Sequence, residues 1–317
     1  MDLAECNLLV TGANGFLGRH VVRAILDAHP GAYVSTPTSA DADLRDPPTA
    51  RALFDDCHPD VVWHLAARCG GIGANQRSPG TFIHDNLLMG VNVIEAARVC
   101  NVRRLVLVGT VCSYPGRAPT PLNEDDIWNG YPEETNAAYG VAKRTLMEMA
   151  RAYSEQYGLA VARPILATLY GPADNLDPQT SHVIPAMIRK FVEAVANGED
   201  VVTLWGNGTA EREFLYVEDA ARALMLCATH PHAAEAPMNI GGGEPVTIDA
   251  LAALVAGLCG FGGEIEWDIT RPNGQHRRSL ASFRARDIIG FTPSVRLRDG
   301  LERTINWYRS SREARAA

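Results

Sequence analysis

The start of this 317-residue chain constrains its fold more than any other stretch. Asn7-Leu8-Leu9-Val10 reads as a short buried strand, Thr11-Gly12-Ala13-Asn14-Gly15-Phe16-Leu17-Gly18 as a glycine turn, and the following residues as an amphipathic helix to about His29. In that order, strand, turn and helix give a Gly-x-x-Gly-x-x-Gly spacing the context of a dinucleotide site. Gly12 permits the tight turn, Gly15 lets backbone approach a pyrophosphate, and Gly18 lets helix pack on strand. The helix start then offers free N–H groups to phosphates. The competing reading is a glycine-rich connection that holds no ligand.

Strand and helix keep alternating, which implies a parallel sheet with right-handed crossovers. Tyr33-Val34-Ser35 is a second strand, and a helix runs from about Pro48 to Cys57. An acid after this strand would bind the ribose 2′-hydroxyl of NAD, and an arginine the 2′-phosphate of NADP. Ser35-Thr36-Pro37-Thr38-Ser39 supplies neither. Without the acid nothing repels a 2′-phosphate, so NADP(H) is favoured and NAD(H) stays open. Asp43-Leu44-Arg45-Asp46 either touches the adenine or caps the next helix. The strand Asp60–Ala67 contains His64, read as a packed core histidine, and leads into a flexible loop at 68–75. A helix over Phe82–Val99 and a strand over Arg104–Val108 follow.

Three further segments carry chemistry. Gly109-Thr110-Val111-Cys112-Ser113 leaves its strand for the crevice beyond the carboxyl ends, where such sheets bind ligands. As extended chain it would point Thr110 and Cys112 to the same side. Tyr139-Gly140-Val141-Ala142-Lys143 opens a helix, which puts Tyr139 and Lys143 on one face. The ammonium there is expected to lower the phenol's pKa and make Tyr139 an acid-base group. Ser181-His182-Val183 opens another helix after a Pro-, Asp- and Asn-rich loop at 172–179, so His182 is either accessible or a plain cap. Each has a bland alternative: an ordinary helix surface for the Tyr–Lys pair, a buried inert thiol for Cys112.

The formal charge of −8 argues against a nucleic-acid or anionic-membrane surface. Seven scattered cysteines form no zinc-ligand spacing and suggest a reducing compartment. There is no basic leader and no long apolar run, so the expected setting is cytoplasmic, with no membrane, nucleic-acid or metal partner.

Thr-Gly-x-x-Gly-x-x-Gly, Thr110 and Tyr139-x-x-x-Lys143 together resemble the extended short-chain dehydrogenase/reductases that act on nucleotide sugars. Leu65–Asn75, Val111–Pro115, Ser181–Pro185 and Trp205–Phe214 narrow the likeness to the branch of GDP-sugar 3,5-epimerase-4-reductases. That resemblance implies a Rossmann-type doubly wound α/β sheet with a smaller, discontinuous C-terminal substrate domain. The dinucleotide-binding domain would hold 1–172 plus about 213–241, and the sugar domain 173–212 plus about 242–317. It implies a reductase triad of Thr110, Tyr139 and Lys143, with Thr in place of Ser, and an epimerase acid-base pair of Cys112 and His182. Cofactor contacts are implied at Gly12, Asn14, Gly15, Phe16, Leu17, Gly18, Leu65, Ala66, Tyr139, Lys143 and His182. Substrate contacts are implied at Lys190, Trp205 and Arg212. The expected partners are a GDP-sugar and a second copy in a homodimer.

The sequence departs from the family at several points. Leu166-Ala167-Thr168 replaces Pro-Thr-Asn, Ser181 an Asn, Lys190 an Arg, and Ala281 an Asp, while Pro37 and Ser39 stand where arginines are expected. These leave room for a sister enzyme on another 4-keto GDP-sugar such as a heptose, or for one of the two reactions alone. An NAD-dependent C4 epimerase or dehydratase and a non-catalytic dinucleotide sensor are the remaining alternatives.

Overall fold

Strands of four to six residues, buried along their whole length, build the central layer of this computed structural model, which describes residues 1–271 and 273–316. In chain order come β1 (Leu8–Thr11), α1 (Phe16–Ala28), β2 (Val34–Ser35), α2 (Pro47–Cys57), β3 (Val61–His64), α3 (Ile72–Arg77), α4 (Pro79–Val99) and β4 (Arg104–Leu107). Next are β5 (Gly109–Thr110), α5 (Ala137–Tyr157), β6 (Val161–Leu166), β7 (Thr168–Tyr170), α6 (Val183–Asn197), β8 (Val201–Trp205), β9 (Glu211–Arg212) and β10 (Phe214–Tyr216). The chain closes with α7 (Val217–Thr229), β11 (Pro237–Ile240), β12 (Val246–Thr247), α8 (Ile248–Cys259), β13 (Glu264–Asp268), β14 (Arg277–Arg278), α9 (Phe283–Ile289) and α10 (Leu297–Ala316).

The main sheet runs β2-β1-β3-β4-β6-β11, all parallel, with β5 extending the pairing along β6. Helices cover both faces, so the strands are buried on both sides and mostly apolar, with buried polar exceptions such as His64, Arg104 and Arg163. One face packs Val10, Trp63, Val106 and Ile165 against Val21 and Ile25 of α1 and Leu224 of α7. The other packs Leu9, Val62 and Leu105 against Phe54 of α2, Val93 of α4 and Leu146 of α5. Trp63 stitches the first face by donating its indole N–H to Leu224 O at 3.1 Å. A third core, around Ile188, Phe191, Leu251, Val255 and Leu301, joins α6, α8 and α10 in a smaller lobe beside β8 and β13.

Strand order reverses at β1, which has β2 on one side and β3 on the other; ligands of such sheets lie in that crevice. Asp46 caps α2 by accepting the Thr49 N–H at 3.0 Å, so 43–46 does serve as a cap. One expectation changes. The loop at 68–75 is partly α3, tied down where the Asn75 amide donates to Gly70 O at 2.8 Å and Gly71 O at 3.1 Å. The extended chain after α5 divides at Ala167, because β6 pairs with β11 and β7 with β10. The chain from Glu211 to Tyr216 forms two short strands, β9 and β10.

Candidate active site

The crevice at β1 continues between the two lobes as one cleft of about 880 Å³. The glycine turn forms one end. Gly12 takes φ +72°, and a Cβ there would stand 2.6 Å from the Ala66 backbone nitrogen, so only glycine lets the turn lie against the chain leaving β3. The first turn of α1 (Phe16, Leu17, Gly18) lines the cleft behind Gly15, with no side-chain cap on its N–H groups. That is a cradle for a dinucleotide's phosphates. Leu65 joins this wall, but two candidates fall outside it. Asn14 lines a smaller neighbouring cleft with Arg19, Arg23 and Thr36, and Ala66 points its N–H at Thr11 Oγ1, 3.4 Å away. His64 is a core residue, its Nδ1 2.9 Å from Thr11 Oγ1, and burial holds its pKa down to about 3.

The start of α5 brings the acid-base groups together. A Cβ on Gly140 would stand 2.2 Å from Cys112 O, so glycine after Tyr139 lets the helix press on the Val111–Ser113 segment. That segment is a single 3-10 turn, not extended chain, and Thr110 caps it by accepting the Cys112 N–H at 3.3 Å. The turn, rather than strand alternation, is what sets Thr110 and Cys112 in the cleft. The Tyr139 phenol has the Thr110 hydroxyl and the Cys69 thiol as polar neighbours.

The expected lowering of the Tyr139 pKa is reversed. Burial drives the phenol well above its ordinary value, the Cys69 and Cys112 sulfurs add to the shift, and the Thr110 hydrogen bond opposes it. Lys143 does not relieve it, because its ammonium donates to Val108 O at 3.1 Å, and burial brings Lys143 itself down to about 8. Tyr139 therefore holds its proton at neutral pH.

His182 sits at the N-cap position of α6 but makes no side-chain bond to the helix, so capping is not its role. Burial lowers its pKa and Asp174 opposes the shift. Asp174, passed over in the sequence as a loop residue, is 8% exposed and lines the cleft. Its Oδ1 accepts the Asn175 N–H at 2.7 Å, its Oδ2 has no partner, and burial pushes its pKa up to about 6. Two more cleft groups escaped the sequence reading, the exposed Cys69 and Arg278, whose Nη1 donates to Cys112 Sγ at 3.6 Å. Neither leaves a local pattern, since their partners come from distant segments.

Lys190, Trp205 and Arg212 all line the far part of the cleft. Lys190 donates to Thr203 O at 2.5 Å, and Arg212 to Asn273 O at 3.1 Å. Burial brings Arg212 down to about 10, with Arg278 beside it adding to the shift. Trp205 is half exposed, with the Arg271 guanidinium 5.0 Å above its ring. Leu166, Ala167 and Thr168 are in the lining as well. Among the described residues no cluster of side chains has the make-up of a metal site. The cleft thus joins a phosphate cradle to a thiol, an imidazole, a phenol and a hydroxyl. Such a set can take a proton from carbon beside a carbonyl and give one to its oxygen.

The sequence profile of the NAD dependent epimerase/dehydratase family matches residues 8–241. The chain is 38% identical to the probable GDP-L-fucose synthase 1 of Oryza sativa subsp. japonica, over 95% of this chain and 91% of that one. It is also 38% identical to GDP-L-fucose synthase 1 of Arabidopsis thaliana, over 97% and 94%. In the solved structures, a GDP-L-fucose synthetase from Naegleria fowleri bound to NADP superposes with a TM-score of 0.86 at 25% identity, covering 96% of this chain and 94% of that chain. The chain belongs to the NAD dependent epimerase/dehydratase family, in the group of the GDP-L-fucose synthases.

Proposed function

We propose that this protein is an NADP(H)-dependent epimerase-reductase that converts a GDP-4-keto-6-deoxy-mannose-type sugar to GDP-L-fucose. One observation carries the reading: Thr110, Cys112, Tyr139, Lys143 and His182 line a single cleft that begins at the glycine cradle and ends at Lys190, Trp205 and Arg212. The names of the relatives, and the NADP in the Naegleria fowleri structure, point the same way. Residues 1–172 with about 213–241 would hold the cofactor, and 173–212 with about 242–317 the sugar nucleotide. A cytoplasmic setting goes with the reading, as the scattered cysteines suggest, and so does a homodimer, as the family likeness implies.

The glycine turn and the α1 start would hold the cofactor's diphosphate, with Tyr139, Lys143 and His182 near its reactive end. When bound, NADPH supplies the hydride for C4 of the sugar. The C4 ketone acidifies the hydrogens on C3 and C5. Cys112 takes one of them as a thiolate and leaves the electron pair on the ketone as an enolate, whose oxygen charge falls where Thr110 and Tyr139 can donate. His182, after taking up a proton from solvent, gives it to that carbon from the opposite side; Cys112 then releases its captured proton to solvent and His182 takes up another, so that repetition at the second carbon completes both inversions. Tyr139, kept protonated by burial, then delivers its proton to the C4 oxygen.

The test is isotopic. In D2O, Cys112→Ser should lose deuterium uptake at C3 and C5 while NADPH binding stays within about twofold of wild type. Exchange at the wild-type rate would make Cys112 a packing residue and end the epimerase part of the proposal.

A further inference from the structure

We infer that Arg278 is the positioning residue that holds the Cys112 sulfur as a thiolate ready to act as the base. This rests on the reading of Cys112 as the base, and it assigns to Arg278 a role that the imidazole of His182 could fill only in its charged form. His182 is poorly placed for that role, because burial disfavours its cationic form. A guanidinium stays charged at any working pH and keeps five N–H donors to direct.

The geometry is built from three segments. Arg278 Nη1 donates to Cys112 Sγ at 3.6 Å across 166 residues of sequence, while Arg278 Nε donates to Gln275 Oε1 at 3.1 Å and so fixes the guanidinium plane. The backbone beneath it is clamped. β14 pairs in parallel with β9, the Glu213 N–H donates to Arg278 O at 3.1 Å, and the Leu280 N–H donates to the buried Glu213 carboxylate at 2.6 Å. On the other side, the Val111–Ser113 turn and the close approach of Gly140 fix Cys112. Neither partner can drift from the other without breaking one of these ties.

The charges around the sulfur agree. Arg212 is the register partner of Arg278, and Glu133 and the Cys112 sulfur are its nearby acidic neighbours. Tyr139 faces the sulfur from α5 as a neutral phenol, and Thr110 contributes a hydroxyl. No aspartate or glutamate lies within 4.0 Å of the Arg278 or Arg212 nitrogens among the described residues. Two adjacent cations on one wall are costly in free protein and become favourable when an anion faces them. The sulfur that Arg278 touches is Cys112, so the cost of forming a thiolate there is offset where it is needed. In the reaction the thiol's own proton goes to solvent beforehand. The sulfur then takes the proton from C3 or C5, and the C–H electron pair passes to the enolate.

The test uses the full-length protein without substrate, so its outcome does not depend on which sugar is turned over. The iodoacetamide reaction of Cys112 is followed from about pH 6 to 9 by peptide-resolved mass spectrometry, which separates it from Cys69. Arg278→Gln should slow Cys112 alkylation near pH 7 by about tenfold or more and move its pH midpoint upward. Arg278→Lys should recover most of the rate, because charge returns without the fork. Gln275→Leu, which leaves the charge but frees the guanidinium, should give an intermediate value and covers the case in which Arg278→Gln does not fold. Alkylation rates and midpoints unchanged in these variants would overturn the inference even if the epimerase-reductase reading held. Failure of Cys112→Ser to stop isotope exchange would overturn that reading while leaving the ion pair itself measurable.

Discussion

At the residue scale, burial decides the protonation states in the cleft. Tyr139 stays protonated and suits a proton donor. Asp174 is the clearest case to measure. Burial raises its pKa to about 6 in the fold, against 3.8 for an ordinary aspartate. The protonated form is therefore favoured by folding. Its stabilising effect is complete below the unfolded value, fades as pH rises, and above about 6 the buried carboxylate is a net cost. Asp174→Asn removes the ionisation and should raise stability near pH 7.5 by about 1–3 kcal/mol, with the gain shrinking towards pH 4. Urea unfolding at three pH values checks this; a gain independent of pH would show that the carboxyl does not titrate as described. The sequence showed that Thr110, Cys112, Tyr139, Lys143 and His182 were worth attention, because Tyr139 and Lys143 share a helix face and the other three sit beside an element boundary. It did not show Asp174, Cys69 or Arg278, since burial and a 166-residue contact leave no local trace.

Among the elements, the strand–turn–helix opening was legible in full, because glycine spacing and apolar periodicity point to one conformation. Short strands were not. β8 and β13 are five residues each with few large buried side chains, which leaves them close to loop in pattern, and the 3-10 turn after Thr110 follows from a side-chain cap. Cofactor choice belongs at this scale too. Residues 36–39, directly after β2, offer no arginine to a 2′-phosphate, but α1 sets Arg19 and Arg23 on the small cleft with Asn14 and Thr36. Arg19 is braced there by donating to Asn14 O at 2.9 Å. Replacing both arginines with alanine should cut the preference for NADPH over NADH by about tenfold, since charge-assisted bonds to phosphate are lost. Fluorescence titration with each nucleotide measures it. Equal weakening of both would place the phosphate elsewhere.

For the whole molecule, two lobes meeting over one parallel sheet allow one cleft to serve two reactions. The large lobe supplies the cradle, the Thr110–Cys112 turn and the Tyr139 helix, while α6, β8, β9 and β14 bring His182, Lys190, Trp205, Arg212 and Arg278 to the other wall. Their convergence was not visible along the chain, because it depends on how the lobes pack. The most direct test gives the purified wild-type protein NADPH and GDP-4-keto-6-deoxymannose in D2O and follows absorbance together with the product's NMR spectrum. The account predicts one NADPH oxidised per sugar, with GDP-L-fucose carrying deuterium at both C3 and C5. A reduced sugar without deuterium at those carbons, or product formed with no NADPH consumed, would contradict it.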